Sequence, residues 1–293
     1  MTRKTIAPKD IDFDSLGRRD YFVKVEHPTT WGHYLVPITV IVGPQAEAGK
    51  GMVAFGSAHG NEYEGPVAIK NVMRSIKTED VLGRVILVPV LNASAFRSGT
   101  RDSQEDGGNL NRVFPGEEHG TLTQRFAYLV TEFIFPQVHV VLDLHSGGNV
   151  ATFPGVSSFH HVQDEAQFQE MQSVAQGFGC PFTMIYQDET PVLLTSTAER
   201  LGKITIGTEL GWGESVVLDG VKMGERGVLS AAMSSKQLKE YPLAEKVCSD
   251  QKLVDGSSVD ASHLAPCSGL LEPKVVVGDQ VSAGELVARI HNF

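Results

Sequence analysis

The chain has 293 residues, 41% of them hydrophobic and 20% charged, which suits one large domain with a sizeable core plus a small module. Asp and Glu outnumber Lys and Arg by 35 to 25, and the resulting net charge of −10 argues against a nucleic-acid or anionic-membrane partner. No apolar run approaches the ~20 residues that span a bilayer, and the N-terminus lacks the apolar stretch of a signal peptide. Cys180, Cys248 and Cys267 are scattered and odd in number, without a Cys-x-x-Cys pair. The expectation is a cytoplasmic protein with reduced thiols.

Residues 1–18 are polar and read as an extended arm. Residues 21–25 and 35–42 alternate or run apolar like strands, and Pro37 suggests that the second is an edge strand or begins with a bulge. A short buried strand follows at 52–55, a helix at 65–76 with proline in its first turn, and a buried strand at 84–91. Residues 92–120 read as a long polar loop, ahead of a helix at 122–134 and a strand at 138–144. Further helices are expected at 166–177, 193–201 and 224–236, with a strand at 203–209 between the last two. Strands alternating with helices indicate an α/β sheet covered on both faces. Beyond Tyr241 the helical stripe stops and short strand-like runs take over, which places a domain boundary near 240–246.

His59-Gly-Asn-Glu62 lies where the strand at 52–55 gives way to the helix at 65–76. Loops that leave the carboxyl ends of strands carry the chemistry of open α/β sheets. An imidazole and a carboxylate supply two of the three protein ligands that a catalytic zinc site needs. The pair alone is a weak signal, since most His-x-x-Glu pairs are a surface histidine beside a solvated acid. His145, at the end of the strand 138–144, supplies a third ligand at the same sheet edge. Asp143 points to the same face of that strand, where it either orients a ligand imidazole or caps a loop.

Glu209 ends another strand and is followed by glycines. A carboxylate there can take a proton from an attacking water and return it to a leaving amine, whereas alone it would read as a solvated strand-end acid. The loop 92–120 carries Arg97, Arg101, Asn111 and Arg112. Structureless loops longer than ~12–15 residues are functional or disordered. The Arg112 guanidinium suits a carboxylate, Asn111 can add an amide donor, and Arg101 can stabilise an oxyanion. Arg97 reads as a solvated side chain.

Taken in this order, His-x-x-Glu, Arg, Asn-Arg, His and Glu resemble the succinylglutamate desuccinylase/aspartoacylase family of zinc deacylases, over about residues 35–240. The resemblance implies a carboxypeptidase-like mixed sheet flanked by helices in a catalytic domain at 1–242. It also implies a small all-β, barrel-sandwich-like module at 243–293. It assigns one zinc ion per chain to His59, Glu62 and His145, the acid/base role to Glu209, the carbonyl clamp to Arg101 and the carboxylate site to Asn111 and Arg112. Two departures stand out: Asn109 occupies the place of the aspartate in the usual Asp-Leu-Asn-Arg, and the spacing from Arg101 to Arg112 is a few residues longer. The run His59-Gly-Asn-Glu-Tyr-Glu-Gly-Pro66 is similar to the ectoine-utilisation branch, which deacetylates N-acetyl-L-2,4-diaminobutyrate. Glu64, Glu105 and Asp106 would then meet a cationic side amine. N-acetylaspartate and N-succinylglutamate are the other substrates that the family implies.

The tail from Ala265 to Ile290 resembles half of a biotinyl/lipoyl-like module, with its hairpin at Gly278-Asp-Gln-Val-x-x-Gly284 but without the lysine-bearing hairpin of a cofactor carrier. In related deacylases such a module helps wall the active site. The expected partner is a small N-acyl amino acid, with neither nucleic acid nor membrane involved and a homo-oligomer left open. A metallocarboxypeptidase acting on short peptides would use the same ligands, and a non-enzymatic binding protein could keep the fold with an incomplete site. A serine hydrolase built on His145-Ser146 lacks any Gly-x-Ser-x-Gly elbow.

Overall fold

A computed structural model describes residues 3–29, 32–187, 190–243, 250–257 and 263–293. The N-terminal segment is less of an arm than its polarity suggests, because β1 (Lys4–Ile6) pairs in parallel with β2 (Gly17–Glu26). β2 runs antiparallel to β3 (His33–Val42) along its whole length. Pro37 stands opposite Phe22, and the next strand joins β3 only from Thr39 onward. On that side β3 is therefore still an edge at Pro37, where a missing N–H costs no ladder bond.

The centre of the sheet is parallel. β4 (Gly51–Gly56) lies between β5 (Arg84–Val88) and β6 (Val138–His145), and β6 pairs in turn with β9 (Ile204–Glu209). Beyond β9 come β7 (Val156–His160), antiparallel to it, then β8 (Phe182–Tyr186) and β10 (Lys252–Asp255). The ten strands form one mixed sheet in the order β1-β2-β3-β5-β4-β6-β9-β7-β8-β10. The mixed α/β architecture expected from the sequence is the one observed.

Strand periodicity divides the core in two. Met52 and Ala54 face one layer with α1 (Glu64–Ser75), α4 (Glu165–Phe178) and α6 (Leu218–Ser234). Val53 and Phe55 face the other, with α3 (Leu122–Tyr128) and α5 (Leu194–Arg200). The helix expected over 122–134 is present, but its second half, Leu129–Ile134, winds as a π-helix. α6 begins six residues before the expected 224. The expected loop 92–120 is not structureless: Asn92 caps α2 (Ala93–Ser98) through its side chain, and Leu110–Arg112 makes a 3-10 turn. β7 and β8 had no counterpart among the expected strands.

After residue 257 the described chain forms a two-stranded antiparallel sheet, β11 (Leu270–Pro273) with β12 (Ala288–His291). The expected hairpin turns at Gly278 and Gly284, both with positive φ. The boundary expected near 240–246 falls partly outside the described residues, and Cys248 falls wholly outside; Cys180 is buried and Cys267 exposed, both as free thiols. Among the described residues no helix is long and apolar enough to cross a membrane.

α6 packs closely on its neighbours through glycine. A Cβ on Gly227 would fall 1.9 Å from Cε1 of the buried Phe178. Gly227→Ala should therefore destabilise the protein by about 1–3 kcal/mol through overpacking. A lower denaturant midpoint at unchanged m value would register the effect, and an unshifted midpoint would show that the helices separate without cost.

Candidate metal centre

β4, β6 and β9 are adjacent and parallel, so their carboxyl ends open on one edge, and His59, Glu62, His145 and Glu209 all emerge there. Glu62 is 2% exposed and lies between the two imidazoles. His59 Nδ1 is 2.8 Å from Glu62 Oε1, and His145 Nδ1 is 2.8 Å from Glu62 Oε2. One ligand atom from each of the three residues lies within 4.8 Å of the others. Arg101 Nη1 donates to Glu62 Oε1 at 3.2 Å, and the Ser146 backbone N–H donates to Oε2 at 3.1 Å.

The outward nitrogens of both rings are engaged as those of metal-ligating histidines are. His145 Nε2 meets Asp143 Oδ2 at 2.8 Å, and His59 Nε2 meets Asn109 Oδ1 at 3.2 Å. With a cation in place, these acceptors would favour the Nε2–H tautomers and leave both Nδ1 nitrogens to bind it. Two imidazole nitrogens and a carboxylate are a donor set that fits zinc. Of the two roles open to Asp143 from sequence, the structure places it at the histidine.

Burial alone would raise the Glu62 carboxyl, but the charge and hydrogen bond of His145, with His59, hold it far below the carboxylate range. Burial works against a charge on His145 as well, yet Asp143 and Glu62 outweigh it and raise that imidazole well above its ordinary value. His59 goes the other way: burial lowers it despite Glu62. Glu209 is different. Part of the residue reaches the surface, but Oε2 is out of solvent contact and has no donor among the described residues, and burial lifts the carboxyl to about 8 against the pull of His145.

Local packing explains the loop geometry. A Cβ on Gly60 would fall 2.0 Å from the Ala95 carbonyl carbon, so only glycine lets the ligand loop cross α2 this closely. The Gly60 N–H also donates to the Thr100 carbonyl, tying His59 to the segment that carries Arg101. Glu64 is engaged within the protein rather than open to a substrate amine. Its buried carboxyl accepts from Ser146 Oγ at 2.6 Å and from the Val217 N–H at 2.9 Å, joining the loops that follow His145 and Glu209. Ser146 is thereby committed to Glu64. Glu105 is bonded to Tyr34 and His27, and Asp106 to Thr123, so neither faces the metal ligands.

Asn111 sits at the centre, but its amide is engaged with the framework. Nδ2 donates to Asp143 Oδ2 at 3.1 Å and touches His145 Nε2, while Oδ1 accepts from the Leu194 N–H at 2.7 Å. Arg112 is exposed beside it, with Nη1 on the Asn111 carbonyl. Arg97 is exposed, as expected. Behind Asp143, His145 and Glu209 lies a cavity of about 130 Å³ whose lining comes entirely from residues between 111 and 209. The C-terminal turn at Val277–Gln280 lies instead against Pro154, Phe182 and Lys252. Sequence reasoning missed His160 and Glu199, which line this cavity, and underrated Asn109. Glu199 lies within an expected helix, where an acid before an arginine looks like an ordinary surface residue.

Residues 48–234 match the succinylglutamate desuccinylase/aspartoacylase catalytic domain. The chain belongs to this family. It is 34% identical to the N-alpha-acetyl-L-2,4-diaminobutyric acid deacetylase of Halomonas elongata, over 97% of this chain and 82% of that protein. Among solved structures it is similar to a succinylglutamate desuccinylase/aspartoacylase from Rhodobacter sphaeroides, with 32% identity, TM-score 0.87 and coverage of 97% and 85% of the two chains. The product-bound ectoine utilization protein EutE (DoeB) from Ruegeria pomeroyi is similar at 32% identity and TM-score 0.86, covering 96% and 85%.

The raised Glu209 carboxyl has a consequence for stability. In the folded, chelator-treated protein it titrates at about 8, against 4.5 for an ordinary glutamate. The stability gained by keeping it neutral is full below the lower value and lost as pH rises through the higher one. Glu209→Gln should therefore gain in Tm relative to the unaltered protein between about pH 5 and pH 9. A Tm difference that stays flat across that range would mean that Glu209 is ionised throughout.

Proposed function

We propose that the protein is a zinc-dependent deacylase that hydrolyses the amide bond of a small N-acyl amino acid, with N-acetyl-L-2,4-diaminobutyrate as its leading substrate. The observation that carries the reading is the convergence of His59, Glu62 and His145 beside a buried, protonatable Glu209. The similarity to the Halomonas deacetylase and to EutE supports the choice of substrate.

His59 Nδ1, His145 Nδ1 and the Glu62 carboxylate would hold one zinc ion. When bound, zinc supplies Lewis acidity, polarising an acyl carbonyl and bringing the pKa of a water to about 7. Glu209 takes the proton of the attacking water and delivers it to the amide nitrogen as the amine departs. A carboxyl raised toward neutrality suits both halves of that task. Arg101, held toward the site by Glu62, faces the charge that develops on the carbonyl oxygen. Arg112 receives the substrate carboxylate at the rim. Asn111 contributes by fixing Asp143, and through it His145.

The cavity volume favours a small substrate. At about 130 Å³ it is well below the ~300–1,000 Å³ of pockets that enclose drug-sized ligands, which disfavours the carboxypeptidase alternative. We read residues 1–242 as the catalytic domain and 243–293 as the small β module.

His145→Ala should lose both zinc and turnover, measured by metal analysis and a deacetylation assay; full zinc occupancy in the variant would remove His145 from the ligand set. Glu209→Gln should keep its zinc while kcat falls by ~10²–10⁴, the usual value of a general acid–base group. Arg112→Ala should raise KM about tenfold to a hundredfold, as expected for one charge-assisted contact, with kcat little altered. An unchanged KM would take Arg112 out of the substrate site.

A further inference from the structure

The cavity behind the metal ligands has an unusual lining. Three acids contribute to it, Asp143, Glu199 and Glu209, together with His145 and His160, but no lysine or arginine. Asp143 is 1% exposed, and its Oδ1 has no hydrogen-bond partner among the described residues; the same is true of Glu209 Oε2. Glu199 is 7% exposed and takes no part in holding the metal or moving the proton. Its carboxylate is aimed by two donors, His160 Nδ1 at 2.9 Å and the Thr205 hydroxyl. The Tyr186 phenol, pushed to about 12 by burial and by Glu209, stays neutral.

Such a lining selects by charge. A side-chain carboxylate entering it would meet the Glu199 carboxylate and the unpaired Asp143 and Glu209 oxygens with no lysine or arginine to pair with, which disfavours aspartyl and glutamyl substrates here. A methyl group would leave the buried carboxylate oxygens unpaired. A protonated amine satisfies both the charge and the orphaned acceptor.

We propose that this cavity is the subsite for a side-chain ammonium group on the amino-acid part of the substrate, and that Glu199, aimed by His160 and Thr205, is the residue that selects it. The inference rests on the deacylase reading above and names the group that sets its specificity. Glu64, Glu105 and Asp106, which the sequence suggested for this task, are committed elsewhere.

The test uses the zinc-loaded protein and two substrates of equal shape, N-acetyl-L-2,4-diaminobutyrate and N-acetyl-L-norvaline, in which a methyl replaces the ammonium. The amine substrate should be preferred in kcat/KM by ~10²–10⁴, since a site built for a polar group rejects the analogue that lacks it. Glu199→Gln should shrink that ratio at least about tenfold, through KM for the amine substrate, with norvaline turnover and zinc content unchanged. Equal wild-type rates on both substrates would overturn the inference and leave the deacylase reading intact. An equal loss on both substrates in Glu199→Gln would reduce Glu199 to a structural role and also overturn it. Calorimetric binding of free L-2,4-diaminobutyrate against L-norvaline reads the subsite without turnover. Selective binding of the diamino acid, abolished in Glu199→Gln, would sustain the subsite even in a protein that hydrolysed no N-acyl amino acid, whereas equal binding of both would dismiss it. Should Glu199→Gln not fold, the wild-type substrate ratio and the binding comparison still decide.

Discussion

A carboxylate at 2% exposure cannot stand in a protein interior without compensation, and Glu62 is the residue around which this sheet edge is organised. Its two oxygens are shared among two imidazoles, a guanidinium and a backbone N–H. These partners come from three segments: His59 from the turn after β4, Arg101 from beyond α2, His145 and Ser146 from the end of β6. Burying the charge therefore requires all three segments to be in place together. The same set of contacts that compensates the charge in the folded chain presents three donor atoms to a cation.

That demand explains much of the surrounding structure. The three segments meet because β4, β6 and β9 are parallel neighbours with their carboxyl ends level. Gly60 lets the His59 turn pass over α2 at a distance no side chain would allow. Glu64 then joins the loops after His145 and Glu209 with one buried carboxyl. Those loops are further zipped by Leu210 N–H to His145 carbonyl and Gly147 N–H to Gly211 carbonyl bonds. These bonds tie the loops to one another, which is what a site that must position a proton-transfer group to within a fraction of an ångström needs.

The parallel centre of the sheet and the convergence of His59, Glu62 and His145 were legible because both leave marks in sequence. Fully buried strands are continuous apolar runs, and the histidines and acids that follow such runs, ordinary one by one, mark a single sheet edge when taken together. The flank was harder. β7, with Ser157 and Ser158, carries little hydrophobic signal, although β8 (Phe-Thr-Met-Ile-Tyr) has the β-branched and aromatic character that could have revealed it. α2 is only six residues long, and its Asn92 cap looks like any loop asparagine. Which acids face the site was illegible for a different reason. Glu64 follows the ligand motif and Glu199 lies far from it, yet tertiary packing turns the first into a loop tie and the second into the cavity wall. No local pattern encodes that exchange.

The asymmetry between the two histidines bears on how the site receives a cation. His145 has a carboxylate, Asp143, behind it, whereas His59 has only the amide oxygen of Asn109, where relatives of the usual pattern carry aspartate. An amide oxygen fixes the tautomer as a carboxylate does but lends the ring no negative charge. The two imidazoles accordingly move in opposite directions, His145 upward and His59 downward. A cation entering between the two Nδ1 atoms must displace whatever proton each shares with Glu62, and the raised His145 holds its proton more firmly than the lowered His59. A second carboxylate at position 109 would also add negative charge to an edge that already concentrates Glu62, Asp143 and Glu209. Asn109 keeps the ring oriented without that repulsion, so the departure from the family pattern is consistent with an intact ligand set.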